Sequence, residues 1–461
     1  MIKNNYLHKY NKFRKDYQFF IYEKFEITSS SKALEIVFFF NLDDKHYFYP
    51  TIKIPFREFY KNYNFLNNEI FEKIIFNIGM IELISYWKSA CPKKIIIKPF
   101  KLSQNQINFW KKVYFNGLGE FFYLNSIEAN MNDFCDIISD SERDSNISKI
   151  ELDNSVIVPI GGGKDSVVTL EILKQENFRI IPMIVNPRKA SIGSIIAANY
   201  EIEDIIEVQR TIHPRLLELN EKGFLNGHTP FSAMLAFLNL SVAYLSNSRN
   251  IALSNESSAN EATIENTNIN HQYSKSYEFE SDFRNYVENY ISPDFNYFSF
   301  LRPVSEIQIG KLFSKFPKYF NDFKSCNVGS KSDVWCGKCP KCLFTYIILS
   351  PFINQQTLCD IFDYNLFDNK ELKKEFDELC GIADIKPFEC VGTVNEVNLA
   401  LCEVIENYTD TELPFLLEYY SNSQNFLNYR DLKFNDYLKE FEDHHFLEEE
   451  FEKILKQRVN A

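Results

Sequence analysis

The sequence lacks any apolar run long enough to cross a lipid bilayer, which needs about 20 such residues. Its longest apolar segments, EIVFFF and TYIILSPF, have the length of buried core elements. The first 25 residues carry positive charge but no uninterrupted apolar stretch followed by small residues, so they do not have the pattern of a secretory signal. These absences predict a cytoplasmic protein without a membrane partner.

An excess of positive charge is also missing. Lys and Arg number 50 and Asp and Glu number 63, which gives a formal net charge of −13 over 461 residues. Proteins that wrap nucleic acid need clustered cations that displace counterions from the phosphates, so the composition argues against a nucleic-acid partner. The apolar share of 45% and the charged share of 25% are ordinary for a globular protein. The composition therefore favours two or three folded domains that act on a small molecule.

The pattern of apolar segments divides the chain into three parts. Residues 1–100 mix strand-like runs with a helix near 69–89, which indicates an α+β N-terminal domain over 1–150, and a polar linker spans its end at 139–155. Residues 151–350 alternate strand and helix, a pattern typical of a parallel sheet covered on both faces. Residues 351–461 are mostly helical. We therefore expect an α/β protein with a central doubly wound parallel sheet, an α+β N-terminal domain and a mainly helical C-terminal region.

Within the alternating region, helices are predicted over 165–177, 191–200 and about 229–246. The strands that separate them are nearly continuous apolar runs. Such strands are buried on both faces, which fits the central position of this region in the expected fold.

The segment VPIGGGKDSVVTLEIL (158–173) places three glycines between an apolar strand and a helix. Glycine lets backbone N–H groups turn toward an anion, and the N-terminus of a helix adds positive potential. The spacing fails for a Walker loop, where a hydroxyl residue would stand at Asp165, and for a dinucleotide loop, where glycine would stand at Ser166. The loop instead resembles the S-G-G-x-D-S loop of the ATP pyrophosphatases, with Gly161 in place of the first Ser. A connector that only caps the helix is the alternative.

Ten cysteines are too dilute for a disulfide framework. Four of them lie close together, and the last three have the spacing C-x2-C-x2-C: Cys326, Cys336, Cys339 and Cys342. Thiolates two residues apart in a turn can reach one tetrahedral zinc ion, whereas a ferredoxin-type run would need a further cysteine where Tyr346 stands. We expect structural zinc. An iron–sulfur cluster and a set of redox or unliganded thiols are the alternatives.

Several polar residues lie near the ends of predicted strands. Asn255 and Glu256 directly follow the strand IALS, and the carboxyl ends of parallel strands share one edge of a sheet. They should therefore face the same crevice as the glycine loop. Further candidates for acid–base chemistry or anion binding are His228, His271, Lys275, Arg302 and Cys390. Each has a structural alternative: a hydrogen-bonded histidine, a solvated surface charge or a buried inert thiol.

Taken in order, these segments resemble the UDP-N-acetylmuramoyl-L-alanyl-L-glutamate epimerase family of bacterial peptidoglycan synthesis. The shared motifs stretch from about residue 114 to 392 and are YFNGLGEF, VPIGGGKDS, ELN with NGHTP, SNESSA, NHQYSKS with FE, LRPVSE, SCN, WCGKCPKC and KPFECVG. The family converts the terminal L-glutamate of a UDP-sugar dipeptide to D-glutamate and consumes ATP to AMP and pyrophosphate in the presence of magnesium. Residues 1–150 are then expected to supply surface for the UDP-sugar.

The resemblance implies that adenylation removes the charge of the glutamate α-carboxylate, so that a base on one face can take the α-proton and an acid on the other can return one. It implies the ATP-binding residues Gly161, Gly162, Gly163, Lys164, Asp165, Ser166 and Asn255. Asp165 would also hold magnesium, and Lys164 would offset charge at the α-phosphate. The acid–base candidates are His228, Glu256, His271 and Cys390, together with Lys164 as a further catalytic residue.

Two other functions stay open at this point. The first is another ATP pyrophosphatase such as 7-cyano-7-deazaguanine synthase, which also pairs this kind of loop with a C-x2-C-x2-C cluster. The second is a zinc-stabilised nucleotide-binding regulator without catalysis. Pyrophosphate release with ATP alone and with each substrate would separate all three.

Overall fold

The computed structural model describes residues 2–60, 68–144, 147–260, 272–329, 332–383, 385–387, 389–408 and 412–461. Within these ranges, eleven strands join in one sheet. In chain order they are β1 (Phe19–Ser29), β2 (Ala33–Leu42), β3 (His46–Phe48), β4 (Thr51–Pro55), β5 (Lys94–Ile97), β6 (Asp136–Ser139), β7 (Asp153–Pro159), β8 (Ile180–Val185), β9 (Ile206–Thr211), β10 (Ser248–Leu253) and β11 (Asn296–Ser299).

The α-helices pack around this sheet and dominate the chain after residue 350. Those of the described residues are α1 (Ile2–Asp16), α2 (Glu69–Trp87), α3 (Gln104–Gly117), α4 (Gly119–Leu124), α5 (Lys164–Lys174), α6 (Lys189–Ala197), α7 (Pro214–Glu221), α8 (Phe231–Ser246), α9 (Tyr277–Tyr290), α10 (Glu306–Ser314), α11 (Pro340–Leu349), α12 (Gln355–Phe362), α13 (Lys373–Leu379), α14 (Val394–Glu406), α15 (Phe415–Ser421), α16 (Gln424–Tyr429), α17 (Phe434–Tyr437) and α18 (Glu449–Val459).

The strand order is β11-β10-β7-β8-β9-β4-β2-β1-β5-β6, and β3 pairs with β2. Strands β7 to β11 pair with one another in parallel orientation. From β7 the chain first winds outward through β8 and β9, and then returns to add β10 and β11 on the other side. This creates a switch point between β7 and β10, and ligands of such sheets bind at the carboxyl ends of the strands at that point. The expected α/β class with a parallel central sheet and a helical C-terminal region is confirmed.

The first strands of the chain extend the same sheet. Strand β4 pairs antiparallel with β9, so that Thr51 lies opposite Thr211, and β2 and β1 follow as antiparallel neighbours. Strands β5 and β6 then add in parallel orientation beyond β1. The division of the chain into parts at 1–150, 151–350 and 351–461 stays a prediction.

The helices predicted from apolar periodicity are observed as α2, α5, α6 and α8, with ends that differ from the predicted ones by up to three residues. Periodicity marks the buried face of a helix, whereas its ends depend on caps. Asn68 caps α2 by accepting the N–H groups of Ile70 and Phe71. Strand β7 ends at Pro159, which has no N–H to donate to the sheet.

Two apolar cores hold the layers together. One packs α2 and α8 against the sheet, and the other joins α5, α10, α11 and α14 with the C-terminal helices. Among the described residues, no helix combines the length and the apolar character needed to cross a membrane.

Gly79 tests the close packing of α2 on the sheet. A Cβ at this position would overlap the Tyr22 hydroxyl and lie 2.8 Å from Cδ1 of Phe38. Both rings are fully buried, so neither can move aside at low cost. We expect Gly79→Ala to destabilise the fold by about 1–3 kcal/mol, measured as a lower melting temperature. The exposed-site variant Leu217→Ala should stay close to the parent, and an unchanged melting temperature for Gly79→Ala would contradict this packing.

Candidate active site and metal centre

The glycine loop lies at the carboxyl end of β7, beside the switch point of the sheet. Gly162 has a φ of +86°, and a Cβ there would lie 2.7 Å from the backbone nitrogen of Ser191, so this position requires glycine. Gly163 is the N-cap of α5 and has no side chain to bind the first N–H groups of the helix. Such N–H groups are suited to an anion. A Cβ at Gly161 meets open space, so the loop shape does not depend on this departure from the S-G-G pattern.

Lys164 carries a buried positive charge directly after the loop. Its side chain is 5% exposed, and its Nζ contacts the carboxylates of Asp165 and Glu306. Burial alone would lower the pKa of Lys164, but the two carboxylates outweigh it and raise that pKa above its ordinary value. Burial raises the pKa of Glu306 above its ordinary value, although Lys164 acts in the opposite direction. The ammonium of Lys164 is therefore tied to protein carboxylates, and its expected role toward phosphate stays a prediction.

Asp165 is the more accessible of the two carboxylates, with a side chain 30% exposed, against 2% for Glu306. Burial acts to raise the pKa of Asp165, but the ammonium groups of Lys164 and Lys341 outweigh it and hold that pKa below its ordinary value. Asp165 is thus an ionised carboxylate at the glycine loop. A hard cation such as magnesium prefers this type of oxygen ligand.

The loop after β10 lies at the same edge of the sheet, as predicted. The Asn255 side chain donates to Oγ of Ser299 at 3.0 Å, and Glu256 accepts from Oγ of Ser258 at 2.7 Å. Glu256 is only 5% exposed. Both residues therefore occupy defined positions near the switch point, Glu256 buried and Asn255 half-buried.

Arg302 fixes this loop to its surroundings. It donates to the backbone oxygen of Glu256 at 2.8 Å, to the carboxylate of Glu280 at 3.1 Å and to the backbone oxygen of Lys275. Arg302 is 1% exposed, so it is not a solvated surface charge. Its guanidinium instead holds the loop after β10 against the turn Tyr273–Lys275.

Cys390 lies beside that turn. Its Sγ is 3.2 Å from Nζ of Lys275, and its backbone oxygen accepts a hydrogen bond from Nζ of Lys341. Burial would lower the pKa of Lys275, but Cys390, Glu256 and Asp165 together raise it above its ordinary value. We call the described residues 386, 387 and 389–392 the Cys390 segment. The structure thus brings the glycine loop, the loop after β10 and the Cys390 segment into one electrostatic cluster.

His228 belongs to a neighbouring wall. Its Nδ1 is 3.8 Å from the carboxylate of Glu120, and Lys88 donates to the backbone oxygen of Gly227. The motifs YFNGLGEF and NGHTP meet here, since a Cβ at Gly117 would lie 2.5 Å from the ring of Pro230. Because α8 leads the chain into the parallel strand β10, its first residues and His228 before them lie at the carboxyl edge of the sheet. His271 lies outside the described residues.

The sequence patterns do not predict three polar residues near these sites. Glu306 and Lys341 lie in the cluster around the glycine loop, and Glu120 lies beside His228. Each lies inside a motif that the sequence analysis quotes, respectively LRPVSE, WCGKCPKC and YFNGLGEF. The motifs mark the segments, but the choice of one carboxylate or ammonium within a segment depends on which side chain points into the crevice.

The four clustered cysteines form a site that fits a metal ion. Their sulfur atoms all lie within 4.8 Å of one another, and the sulfurs of Cys326 and Cys339, Cys336 and Cys342, and Cys339 and Cys342 are 3.7, 3.7 and 3.5 Å apart. A tetrahedral zinc ion with Zn–S bonds of about 2.3 Å requires sulfur separations of about 3.8 Å. Gly337 permits the turn between the ligands, because its φ is +63°.

Comparison with known proteins covers both halves of the chain. Residues 11–300 match the family model of the MurL N-terminal domain, and residues 322–431 match that of the MurL C-terminal domain. Similar curated proteins come from Xanthomonas oryzae pv. oryzae, 33% identical over 70% of this chain and 72% of its own, and from Micromonospora sp., with the same identity and shares. A third, from Salinispora tropica, is 31% identical over 70% of this chain and 71% of its own. All three are named UDP-N-acetyl-alpha-D-muramoyl-L-alanyl-L-glutamate epimerase.

The metal site can be tested by cysteine replacement. We expect the purified protein to carry one thiophilic metal ion per chain, and Cys339→Ser to lose most of it to a competing chelator, because a three-thiolate site holds the ion less tightly. Metal per chain is measured by elemental mass spectrometry after desalting. Cys359→Ser, which changes a half-buried cysteine outside the cluster, is the matched control and should keep the metal. Equal metal retention in the two variants would contradict the assignment.

Proposed function

The chain belongs to the MurL family, and we propose that it converts the terminal L-glutamate of UDP-N-acetyl-α-D-muramoyl-L-alanyl-L-glutamate to D-glutamate, with ATP as co-substrate. The substrate is the one that the names of its relatives specify. The supporting observation in this chain is a cluster that contains a phosphate-type glycine loop and a thiol–ammonium pair, Cys390 and Lys275. The ammonium of Lys275 also interacts electrostatically with Asp165, directly after the loop. Residues 1–150 are proposed to provide surface for the UDP-sugar, and a nucleotide-linked substrate used with ATP favours the cytoplasm as the location.

We propose a nucleotide site of the ATP pyrophosphatase type at the glycine loop. The backbone of Gly161, Gly162 and Gly163, the first N–H groups of α5 and Ser166 would bind the β- and γ-phosphates, and Asn255 would border the same crevice. The position at the switch point of the sheet and the N-cap without a side chain support this. Asp165 would hold magnesium, which would offset phosphate charge.

The chemistry explains why such a site would serve an epimerase. A free α-carboxylate is negative, so removal of the neighbouring α-proton would place a second negative charge beside the first. Transfer of AMP to the carboxylate removes its charge and releases pyrophosphate. The electrons left by the α-proton can then delocalise into the activated carbonyl, and hydrolysis by water afterwards returns the free carboxylate. ATP cleavage thereby drives the epimerisation in one direction.

Proton transfer needs one group on each face of the α-carbon. We propose Cys390 as one group, since the ammonium of Lys275 at 3.2 Å favours a thiolate. We propose His228 as the other, since its side chain is 30% exposed at the same edge of the sheet and the Glu120 carboxylate beside it can orient the ring. Glu256 is bonded to Ser258 and buried, so a supporting electrostatic role fits it better.

The comparisons favour this function over the deazaguanine synthase and the non-catalytic regulator. For the four-cysteine site we propose zinc, because closed four-thiolate sites commonly hold structural zinc. This site lies within the part of the chain that matches the MurL C-terminal domain.

Removal of the Asp165 charge tests the nucleotide site. We expect Asp165→Asn to slow pyrophosphate release at least about 100-fold at a temperature where the variant is folded, because the magnesium would lose a carboxylate ligand. Its melting temperature should fall, because the buried Lys164 loses one of its carboxylate partners. Pyrophosphate is measured with ATP in the presence and absence of the UDP-dipeptide. Asp431→Asn, at a side chain 87% exposed, is the matched control. Normal pyrophosphate release by Asp165→Asn would rule out the proposed role of Asp165 in holding magnesium.

Solvent deuterium tests proton transfer. During turnover in D2O, deuterium should enter the α-carbon of the glutamate, and Cys390→Ser should slow its entry by about 10²–10⁴-fold, because a serine hydroxyl is a much weaker acid than a thiol. Incorporation is measured by mass spectrometry, and the D-glutamate content by chiral chromatography. Cys359→Ser should behave like the parent. If the parent forms D-glutamate without deuterium entry, α-proton abstraction is wrong.

A further inference from the structure

The metal centre is connected to the candidate active site by several contacts. We call residues 324–342 the metal loop; 330 and 331 lie outside its described part. The N–H of Lys324 donates to the backbone oxygen of Gly162 at 2.8 Å. On the other side, Nδ2 of Asn327 donates to the carboxylate of Glu389 at 2.5 Å, and Nζ of Lys341 donates to the oxygen of Cys390. The metal loop therefore touches the glycine loop at one end and the Cys390 segment at the other.

Lys341 is placed by the metal ligands themselves. It follows Cys339 by two residues, precedes Cys342 by one and lies in the first turn of α11. The residue is 8% exposed, so its ammonium is directed into the protein. It lies close enough to Asp165 and Glu306 to act on both carboxylates. A buried ammonium requires polar partners, and here they all belong to the candidate active site.

The Cys390 segment depends on such tethers. Its described residues, 386, 387 and 389–392, lie outside helices and sheet strands, so side-chain contacts contribute to its position. Lys275 contacts the sulfur of Cys390, whereas Lys341 binds its backbone. Lys275 therefore influences the thiol directly, whereas Lys341 influences Cys390 through the position of its backbone.

We propose that Lys341 is a positioning residue, which ties Cys390 to the metal loop and so makes the four-thiolate centre, the glycine loop and the thiol one mechanical unit. The inference rests on the proposed acid–base role of Cys390. The physical reason is distance: a shift of about 1 Å in a reacting group can cost about 10²-fold in rate. The metal centre thereby serves the reaction without contact to the substrate.

The test compares three lysine variants of the full-length, metal-loaded protein. Lys341→Met removes the tether, and Lys341→Arg keeps a cationic donor. Lys338→Met changes an exposed lysine of the same metal loop, between Cys336 and Cys339. Hydrogen–deuterium exchange of the peptide that spans 389–396 is measured without substrate, together with metal per chain. Lys341→Met should keep the metal but exchange at least about threefold faster in this peptide, whereas Lys341→Arg and Lys338→Met should match the parent.

Steady-state kinetics with ATP and the UDP-dipeptide provide the functional readout. Lys341→Met should lower kcat at least about tenfold and change the KM for ATP by less than about threefold, because Lys324 still holds the glycine loop. Lys341→Arg should recover most of kcat. The decrease in kcat would then result from the displacement of Cys390 and not from weaker nucleotide binding.

Unchanged exchange in Lys341→Met, or faster exchange with an unchanged kcat, would overturn the proposal, as would loss of the metal from this variant. Asn327→Ala removes the second tether and should speed exchange in the same peptide even if Lys341→Met does not fold. A parent protein that forms no D-glutamate would refute the proposed function alone, since the exchange comparison needs no substrate.

Discussion

Lys164 carries a positive charge in the interior, and the surrounding structure is arranged to balance it. Its Nζ contacts Asp165 on the same helix, α5, and Glu306 at the start of α10. The N–H of Glu306 in turn donates to the carboxylate of Glu396 on α14 at 2.6 Å. Removing one partner of a buried ion pair leaves an uncompensated charge, which typically costs about 3–5 kcal/mol. This ion network therefore ties three helices to the end of β7 and fixes the glycine loop at the switch point.

The same network separates the properties of neighbouring carboxyl groups. The pKa of Asp165 is held below its ordinary value, whereas burial raises that of Glu306 above its ordinary value. When the environment gives two carboxyl groups different pKa values, the two groups can perform different tasks. Here Asp165 is suited to bind a cation, and Glu306 is suited to hold Lys164 in place. Cys390 and Lys275 add a thiol beside an ammonium at the edge of this cluster.

The metal loop borders this cluster, and the first strands of the chain extend the sheet that carries it. The metal loop bonds to both the glycine loop and the Cys390 segment. Strand β4 joins β9 and so continues the sheet into the first part of the chain. A long substrate needs contacts with several surfaces of the protein. A continuous sheet holds such surfaces in fixed relative positions. The match to a MurL N-terminal and a MurL C-terminal domain agrees with a site built from both parts of the chain.

Features carried by contiguous residues were determined by the sequence itself. The glycine loop, the four cysteines and the alternation of strand and helix are local patterns, because backbone freedom, ligand spacing and hydrophobic periodicity act between near neighbours in the chain. The tertiary structure alone decided which side chains meet. Glu306 lies 142 positions from Lys164, Cys390 115 from Lys275 and 49 from Lys341, and His228 lies beside Glu120. Pairing of buried charges depends on how helices pack around the sheet, and that packing is a property of the whole chain and of no single segment.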